Sequence, residues 1–388
     1  MSIRQIGIRG KLVVLLLALS IVPLIIVSVL SYNNGKKMLA ESIGAQLHEI
    51  AHSVMDNMDS LIDVRSKDVQ AWAKGDIMQD IMTDDSDGRI ASFLIDVKQS
   101  YGGIYSDIYV LNSKGEIIAS SSPNPSILDI VLVNEGWFSR AMAGELAVED
   151  VHRSDLTGGL AIGLSLPVRA SFDETKIIGV LSARIDWERI ANQVSNMPIH
   201  EKPQTKYVHM EIINKEGLAL VNPAYEKKDE ILNANLITAG MESAKLASQG
   251  GKGWFVEPME HGEFMGLIGY AASEGAGDFK GLGWSVLVEK SLKDAYAPIG
   301  TFQKQILLFG LLVAAVIAAL SYIVARSIAG PILTLTNTAI IIAQGDLTQT
   351  VDVKSKDETG RLGTAFNGLI GNLRNLMVQV RDAGLQLT

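Results

Sequence analysis

The sequence predicts an α+β segment held outside a membrane by two spanning helices and followed by an all-α helical pair. Three observations carry this prediction: two long uncharged apolar runs, a strand-turn-strand figure that occurs twice between them, and a heptad stripe after the second run. The apolar runs are Leu12 to Gly35 and Gln305 to Ala325. Each is long enough to cross the ~30 Å hydrocarbon layer as a helix, the one element besides a closed barrel that satisfies its own backbone there.

Bulk composition narrows the function. A chain of 388 residues accommodates two or three domains. It has no cysteine, so neither a disulfide framework nor a thiolate metal site exists. The formal net charge of −9 argues against a nucleic-acid groove, which needs a basic stripe to displace counterions from phosphate.

In chain order, residues 1–11 carry Arg4, Arg9 and Lys11 and no acid. A signal peptide begins the same way, but the apolar run exceeds an ordinary h-region and no small-x-small cleavage site precedes Lys36, so 12–35 reads as an uncleaved first span. Basic residues before the first span and Arg326 after the second (305–325) place both termini in the cytoplasm and 36–304 outside. From Lys36 to about Trp72, Ile43, Leu47, Ile50, Val54, Met58 and Leu61 recur at helical spacing, with no Gly or Pro between Ala45 and Lys74. A helix continuing out of a span can carry a rigid-body displacement; it can equally be a surface helix of the domain it enters.

That helix contains His48-Glu49-Ile50-Ala51-His52, the H-E-x-x-H pattern whose histidines share a face and could hold zinc with Glu49 as general base. The context opposes a membrane-anchored zinc peptidase. Ile50 lies in the apolar stripe, and the next acids, Asp56, Asp59 and Asp63, continue the same rod. No metal site is expected, and His152, His200, His209 and His261 have no ligand spacing. There is also no G-x-S-x-G, no phosphate-binding loop and no Cys nucleophile, so no enzyme and no cofactor are expected.

From Ser106 the period changes to that of strands. Ile108–Leu111, the turn Asn112-Ser113-Lys114-Gly115 and Glu116–Ser120 form one hairpin; Met210–Ile213, Asn214-Lys215-Glu216-Gly217 and Leu218–Asn222 form another. Each is followed by a Gly-Trp-Phe, at 136–138 and 253–255, and then by further strands: Leu160–Val168 and Ile177–Ile185, then Phe264–Ala271 and Trp284–Val288. The segment is expected to be duplicated, each copy an antiparallel sheet with helices on one face.

After Arg326, Ile332, Leu335, Ala339 and Ile342, and then Leu362, Phe366, Leu369, Leu373, Leu376 and Val380, trace two a/d seams joined by an extended connector. Seams this short need one another and a second chain to bury their stripes, so a parallel four-helix bundle in a homodimer is expected.

The region 326–380 resembles the HAMP linker of bacterial transmembrane receptors through Pro331 at the start of its first helix, Gly345, Leu347 and Val351 in the connector, and Asp357-Glu358-Thr359-Gly360 opening the second. A second resemblance, to the double Cache sensor domain, covers about Lys37 to Ile299. It is carried by Glu135-Gly136-Trp137-Phe138, Ala143-Gly144-Glu145, Asp155-Leu156-Thr157-Gly158, Ser165-Leu166-Pro167-Val168 and Ile178-Gly179-Val180-Leu181. It implies two PAS-like modules stacked on the long helix, a distal one at about 75–200 that holds a small ligand and a proximal one at about 205–299. Residues 381–388 are similar to the opening of the cytoplasmic hairpin of methyl-accepting chemotaxis receptors. Together these imply a chemoreceptor lacking its output domain, reaching cytoplasmic partners through that missing part. A histidine kinase or nucleotide cyclase could follow the same linker.

Carried residue by residue, the resemblance implies ligand contacts at Trp137, Arg153, Asp155 and Arg184, and signal relay through Pro331 and Glu358. The amino-acid-binding branch has an Arg two residues before its Trp and acids where this chain has Arg184 and Ser154, whereas Glu135 stands in that Arg position. The inverted polarity implies an organic acid or other non-amino-acid ligand, with Arg184 offering its planar fork to a carboxylate. Trp137 and Phe138 read equally as core, and strand alternation leaves open whether Arg184 faces inward or pairs with Asp186 or Glu188 in solvent.

Overall fold

The structure, a computed structural model, describes residues 7–154, 156–195, 208–222, 230–259, 264–353 and 355–385. The chain divides into two units, Lys37–Ala297 and a second formed by Met1–Lys36 with Pro298–Thr388.

Helix α1 runs unbroken from Ile8 to Ala73, so the first apolar run and the helical segment after it are one element. In the Lys37–Ala297 unit its stripe of Ile43, Leu47, Ala51, Val54, Met58, Ile62, Val69 and Ala73 is buried. The steps are of three, four or seven residues, which holds one face of the helix on the core along its length.

Two antiparallel sheets pack on that stripe. The first contains β1 (Tyr105–Asn112), β2 (Ile117–Ser120), β3 (Ala147–Arg153), β4 (Leu160–Ala170) and β5 (Asp173–Asp186), in the order β2-β1-β5-β4-β3. The second contains β6 (Val208–Ile213), β7 (Ala219–Val221), β8 (Lys252–Pro258), β9 (Met265–Ala272) and β10 (Ser285–Ser291), in the corresponding order β7-β6-β10-β9-β8. The duplicated hairpin therefore heads two modules of one topology. Its turns match in detail: the Gly115 N–H donates to the Asn112 carbonyl and the Gly217 N–H to the Asn214 carbonyl, both at 3.0 Å, with φ of +77° and +87° at the glycines. Only glycine takes that left-handed conformation without strain.

The helices of the sheet unit are α2 (Arg89–Ser100), α3 (Gly136–Met142), α4 (Trp187–Ser195) and α5 (Glu242–Ser248). Each sheet carries a second small core on the face turned away from α1. Under α3 it is built from Tyr109, Leu111, Trp137, Phe138 and Val180; under α5, from Ile213, Leu236, Ala244, Ile268 and Leu287.

The two Gly-Trp-Phe triplets are not equivalent, contrary to the sequence expectation. Gly136-Trp137-Phe138 opens α3, whereas Gly253-Trp254-Phe255 lies inside β8. The true counterpart of α3 is α5, and β8 corresponds to β3, the edge strand that the sequence pattern missed. Trp254 lies against α1 at Gly44, where a Cβ would collide with its indole.

In the other unit, α6 (Leu292–Ala343) contains the second apolar run, and both long helices are apolar enough to cross a membrane. Pro331 lies inside α6, not at a helix start. The helix tolerates the missing N–H there and stops instead near Gly345, at φ +99°. After the connector comes α7 (Glu358–Leu385). Asn367 holds the connector by a reciprocal pair of bonds: its Oδ1 accepts from the Val351 N–H at 2.9 Å, and its Nδ2 donates to the Val351 carbonyl at 2.8 Å. The N-cap of α7 is Asp357, which accepts from the Thr359 and Gly360 N–H groups. Hydrogen bonds from Thr359 and Ser355 hold its carboxyl down at about 2.

Candidate functional site

The inward face of the first sheet, under α3, collects polar side chains that the alternation of strands places together. Cross-strand partners share a face, so the Asp107–Arg184 and Tyr109–Ser182 pairs of β1 and β5 line up with Gly163 and Ser165 of β4 and with Glu149 of β3. The centre is Arg184, which is 4% exposed. Its Nε donates to the Tyr109 hydroxyl at 2.9 Å, its Nη1 pairs with the Glu149 carboxylate, and its guanidinium carbon lies 4.9 Å from the centre of the Trp137 ring. A flat cation over an indole face is a favourable pairing that strengthens when desolvated.

Burial works against the Arg184 charge, but Tyr109 and Glu149 outweigh it and raise the guanidinium above its ordinary value. Burial likewise raises Tyr109, so its hydroxyl stays protonated and can accept from Arg184. Gly163 leaves room for the ion pair: a Cβ there would run into Arg184 Nη1 and Glu149 Oε2. Beside it Ser165 and Ser182 share a hydrogen bond of 2.8 Å. Asp107, 1% exposed, accepts from the Ile108 N–H at 2.9 Å and from the Ser121 hydroxyl.

Of the four expected ligand contacts, two meet. Arg184 turns inward to Trp137 instead of outward to Asp186, which pairs with Arg189. Trp137 is both core and ring wall, since it packs on Tyr109 and Phe138 at the same time. Arg153 does not join them. It is exposed, and its Nη1 donates to the Gly158 carbonyl at 3.0 Å. The cause is a register break in β3 between Glu149 and His152, after which Arg153 pairs with Leu160, on the opposite face from Gly163. Asp155 lies outside the described residues. Glu135 is exposed at the start of α3, so its charge does not enter the cluster, and one half of the inverted-polarity argument falls away.

Glu149, Asp107 and Tyr109 belong to the cluster and were missed. Alternation back from Leu111 would have found Tyr109 and Asp107, whereas no local signal marks β3.

The same register break sends Asp150 to the second module. Its Oδ1 accepts from Trp284 Nε1 at 2.6 Å, while Trp187 Nε1 donates in the other direction to the Leu220 carbonyl at 2.8 Å. The two indoles pack edge to face, 5.2 Å apart. Burial raises the Asp150 carboxyl above its usual range, against the pull of the Trp284 bond.

The histidines of H-E-x-x-H are otherwise engaged. His48 Nδ1 bonds the Tyr270 carbonyl at 3.0 Å, and His52 Nδ1 lies 3.3 Å from Asp56. Among the described residues neither belongs to a group of three potential metal ligands. His200 and His261 lie outside the described residues.

Paired antiparallel sheets on one long helix, with a buried cation and aromatic wall under the first, define an α+β sensor-type domain. The chain belongs to the Cache domain family, whose model matches residues 35–299, and residues 323–375 match the HAMP domain. It is similar to two methyl-accepting chemotaxis proteins of Bacillus subtilis (strain 168). One is McpA, 21% identical over 98% of this chain and 53% of the relative; the other is McpC, 21% identical over 96% and 53%. The chain thus spans about half the length of the curated relatives it matches. A similar solved structure is the ligand-binding domain of the Pseudomonas aeruginosa PAO1 amino acid chemoreceptor PctB in complex with L-Arg. It is 16% identical with a TM-score of 0.48, over 66% of this chain and 98% of that one.

Proposed function

We propose that this chain is the sensing and linking part of a transmembrane chemotaxis receptor that takes up a small organic acid under α3, with the ligand's carboxylate on Arg184 and its body against Trp137. The observation that carries the reading is the burial of a guanidinium beneath an indole in a Cache domain. A buried, planar, bidentate donor is what carboxylate recognition needs. The family resemblance implies Asp155 as a further ligand contact, and Arg153 contributes only through its bond to the Gly158 carbonyl.

In this reading the sheet unit is a double Cache domain outside the membrane, with the first module distal and the second proximal, and both termini lie in the cytoplasm. The linker 326–380 forms a parallel four-helix bundle in a homodimer. Supporting the dimer, Leu362, Leu369, Leu376 and Val380 on α7 are all more than half exposed in the single chain. A second copy is the natural cover for such a stripe. Pro331 and Glu358 relay the displacement, and the cytoplasmic signalling partners act through an output domain that follows the linker.

Calorimetry on the 388-residue chain in nanodiscs tests the reading. Organic acids such as succinate and pyruvate are expected to bind, and Arg184→Ala to abolish binding. Tight binding of an L-amino acid that survives Arg184→Ala would overturn it.

A further inference from the structure

We propose that Glu149 is a built-in competitor for the ligand: its carboxylate occupies Arg184 and must be exchanged for the ligand's own. This rests on the reading of Arg184 as the carboxylate site. It goes further in naming what the ligand displaces and how that displacement reaches the second module.

The ion pair is asymmetric. The Arg184 side chain is 5% exposed and the Glu149 side chain 21%, so the acid is the outer half and the half that water can reach. Glu149 also stands on β3, which is hydrogen-bonded on one side only because it ends the sheet. Its register on β4 breaks immediately after Glu149, leaving Asp150 and Val151 out of the ladder. A strand held along one edge and interrupted by a bulge is the part of a sheet that moves at least cost. Arg184, by contrast, stands on β5, the central strand of the sheet, where it is paired with both β1 and β4 and bonded to Tyr109. The cation is fixed and the anion is the movable partner.

Stripping Glu149 from Arg184 with nothing in return would leave a buried guanidinium half-partnered, which is strongly unfavourable. A ligand carboxylate supplies an anionic acceptor of the same kind as Glu149 Oε2, so exchange keeps the guanidinium paired while Glu149 swings to water. Binding is then the difference between two similar terms, and a ligand without an anionic oxygen pair cannot pay the exchange. Glu149 therefore acts as a specificity determinant by competition.

The consequence for signalling lies in the next residue. Asp150 holds Trp284, which immediately precedes β10, and β10 leads along the chain into α6. Release of Glu149 frees the bulge, shifts Asp150 and alters its bond to Trp284. The bulge is thus the two-state element that the ligand biases.

The test titrates succinate into the 388-residue chain in nanodiscs, with L-alanine in parallel. Glu149→Gln keeps the shape and a hydrogen-bond acceptor but removes the competing charge, and it should tighten succinate binding about tenfold. Glu149→Asp, charged but one methylene shorter, guards against a folding artefact in the first variant and should tighten binding by a smaller factor. The Trp284 fluorescence contribution, isolated by difference from Trp284→Phe, should change on succinate binding in the natural chain and be already changed in Glu149→Gln without it. Unaltered or weaker succinate binding by both Glu149 variants, with binding still lost in Arg184→Ala, overturns the competitor and leaves the site standing. L-alanine binding that Glu149→Gln weakens also overturns it, because the acid would then be holding an ammonium. No carboxylate binding by any of these chains overturns the site reading together with the competitor.

Discussion

The two modules share a strand order but differ in what they put at its centre. Aligned on the Asn112 and Asn214 turns and on the strand registers, Tyr109 corresponds to Glu211, Arg184 to Glu289 and Glu149 to Phe255. The first module thus buries a compensated cation under an aromatic wall. In the second, Glu211 and Glu289 are buried at the same places, with Glu211 Oε1 accepting from Asn222 at 2.6 Å. One scaffold therefore carries opposite charge at matched positions, and the site must be argued from side chains, since the fold alone would treat both modules alike.

They differ equally in how they hold α1. The first sheet meets it through bulky apolar side chains, with Leu164 on β4 in the shared core. At the matching place on β9 stands Gly269, where a Cβ would run into the backbone of Leu47 and His48. Close backbone approach is possible there only for glycine. Gly269→Leu, which gives the second sheet the side chain of the first, should prise the helix from it and destabilise the chain by about 3 kcal/mol in urea unfolding. A loss below about 1 kcal/mol would mean that α1 is free to shift along β9.

The contrast also shows which parts were legible in the sequence. The long helix, the duplicated hairpins and the seam of α7 all rest on local period, and period survives in a single sequence. The edge strands β3 and β8 do not: Glu149, Asp150 and His152 break any alternation, and Gly253-Trp254-Phe255 imitates the start of α3. Trp137 and Arg184 were identified through family resemblance, yet the partner that neutralises Arg184 comes from β3 and depends on a bulge. Long-range pairing of this kind leaves no trace in spacing. The acid that caps α7 is Asp357 and not its neighbour Glu358, the residue expected to relay signal, a distinction the sequence hides for a simpler reason: helix boundaries are blurred by a residue or two, and side-chain acceptors one position apart look alike on paper.

A smaller effect separates the two tryptophans that join the modules. Trp284 donates to the carboxylate of Asp150, and Trp187 to the neutral carbonyl of Leu220. Hydrogen bonds to charged groups contribute more, and a buried carboxylate left without its donor is costly. Trp284→Phe should therefore cost about 2 kcal/mol and Trp187→Phe about 1 kcal/mol beyond any packing change, by thermal unfolding of each variant. Equal losses would mean that Asp150 is already protonated and that the two bonds are of the same kind.

The smallest expected effect is a difference in slope, and it concerns the clasp by which α1 holds the second module. Asp59 accepts from the Ser273 hydroxyl at 2.7 Å and the Gly275 N–H at 2.8 Å; one helical turn on, Asp63 accepts from the Asp278 N–H at 3.1 Å and pairs with Lys67. Burial pushes the Asp59 carboxyl above its ordinary 3.8, outweighing the bonds that lower it. The hydrogen bond from Lys67 leads the causes that hold Asp63 below 3.8. Linkage then gives opposite signs. Asp63, depressed on folding, contributes stability that is present above 3.8 and is lost as pH falls through its lowered value. Asp59, raised on folding, contributes stability that is full below 3.8 and is lost as pH rises through its raised value. In thermal unfolding between about pH 3 and pH 6, the advantage of the natural chain over Asp63→Asn should therefore shrink toward the acid end, and its advantage over Asp59→Asn toward the neutral end. Two parallel curves would mean that the acids share one environment and that the clasp is a single exposed ion pair. Crossing curves would make it a pair of unlike contacts on one loop, Asp59 governed by its burial and Asp63 by its bond from Lys67.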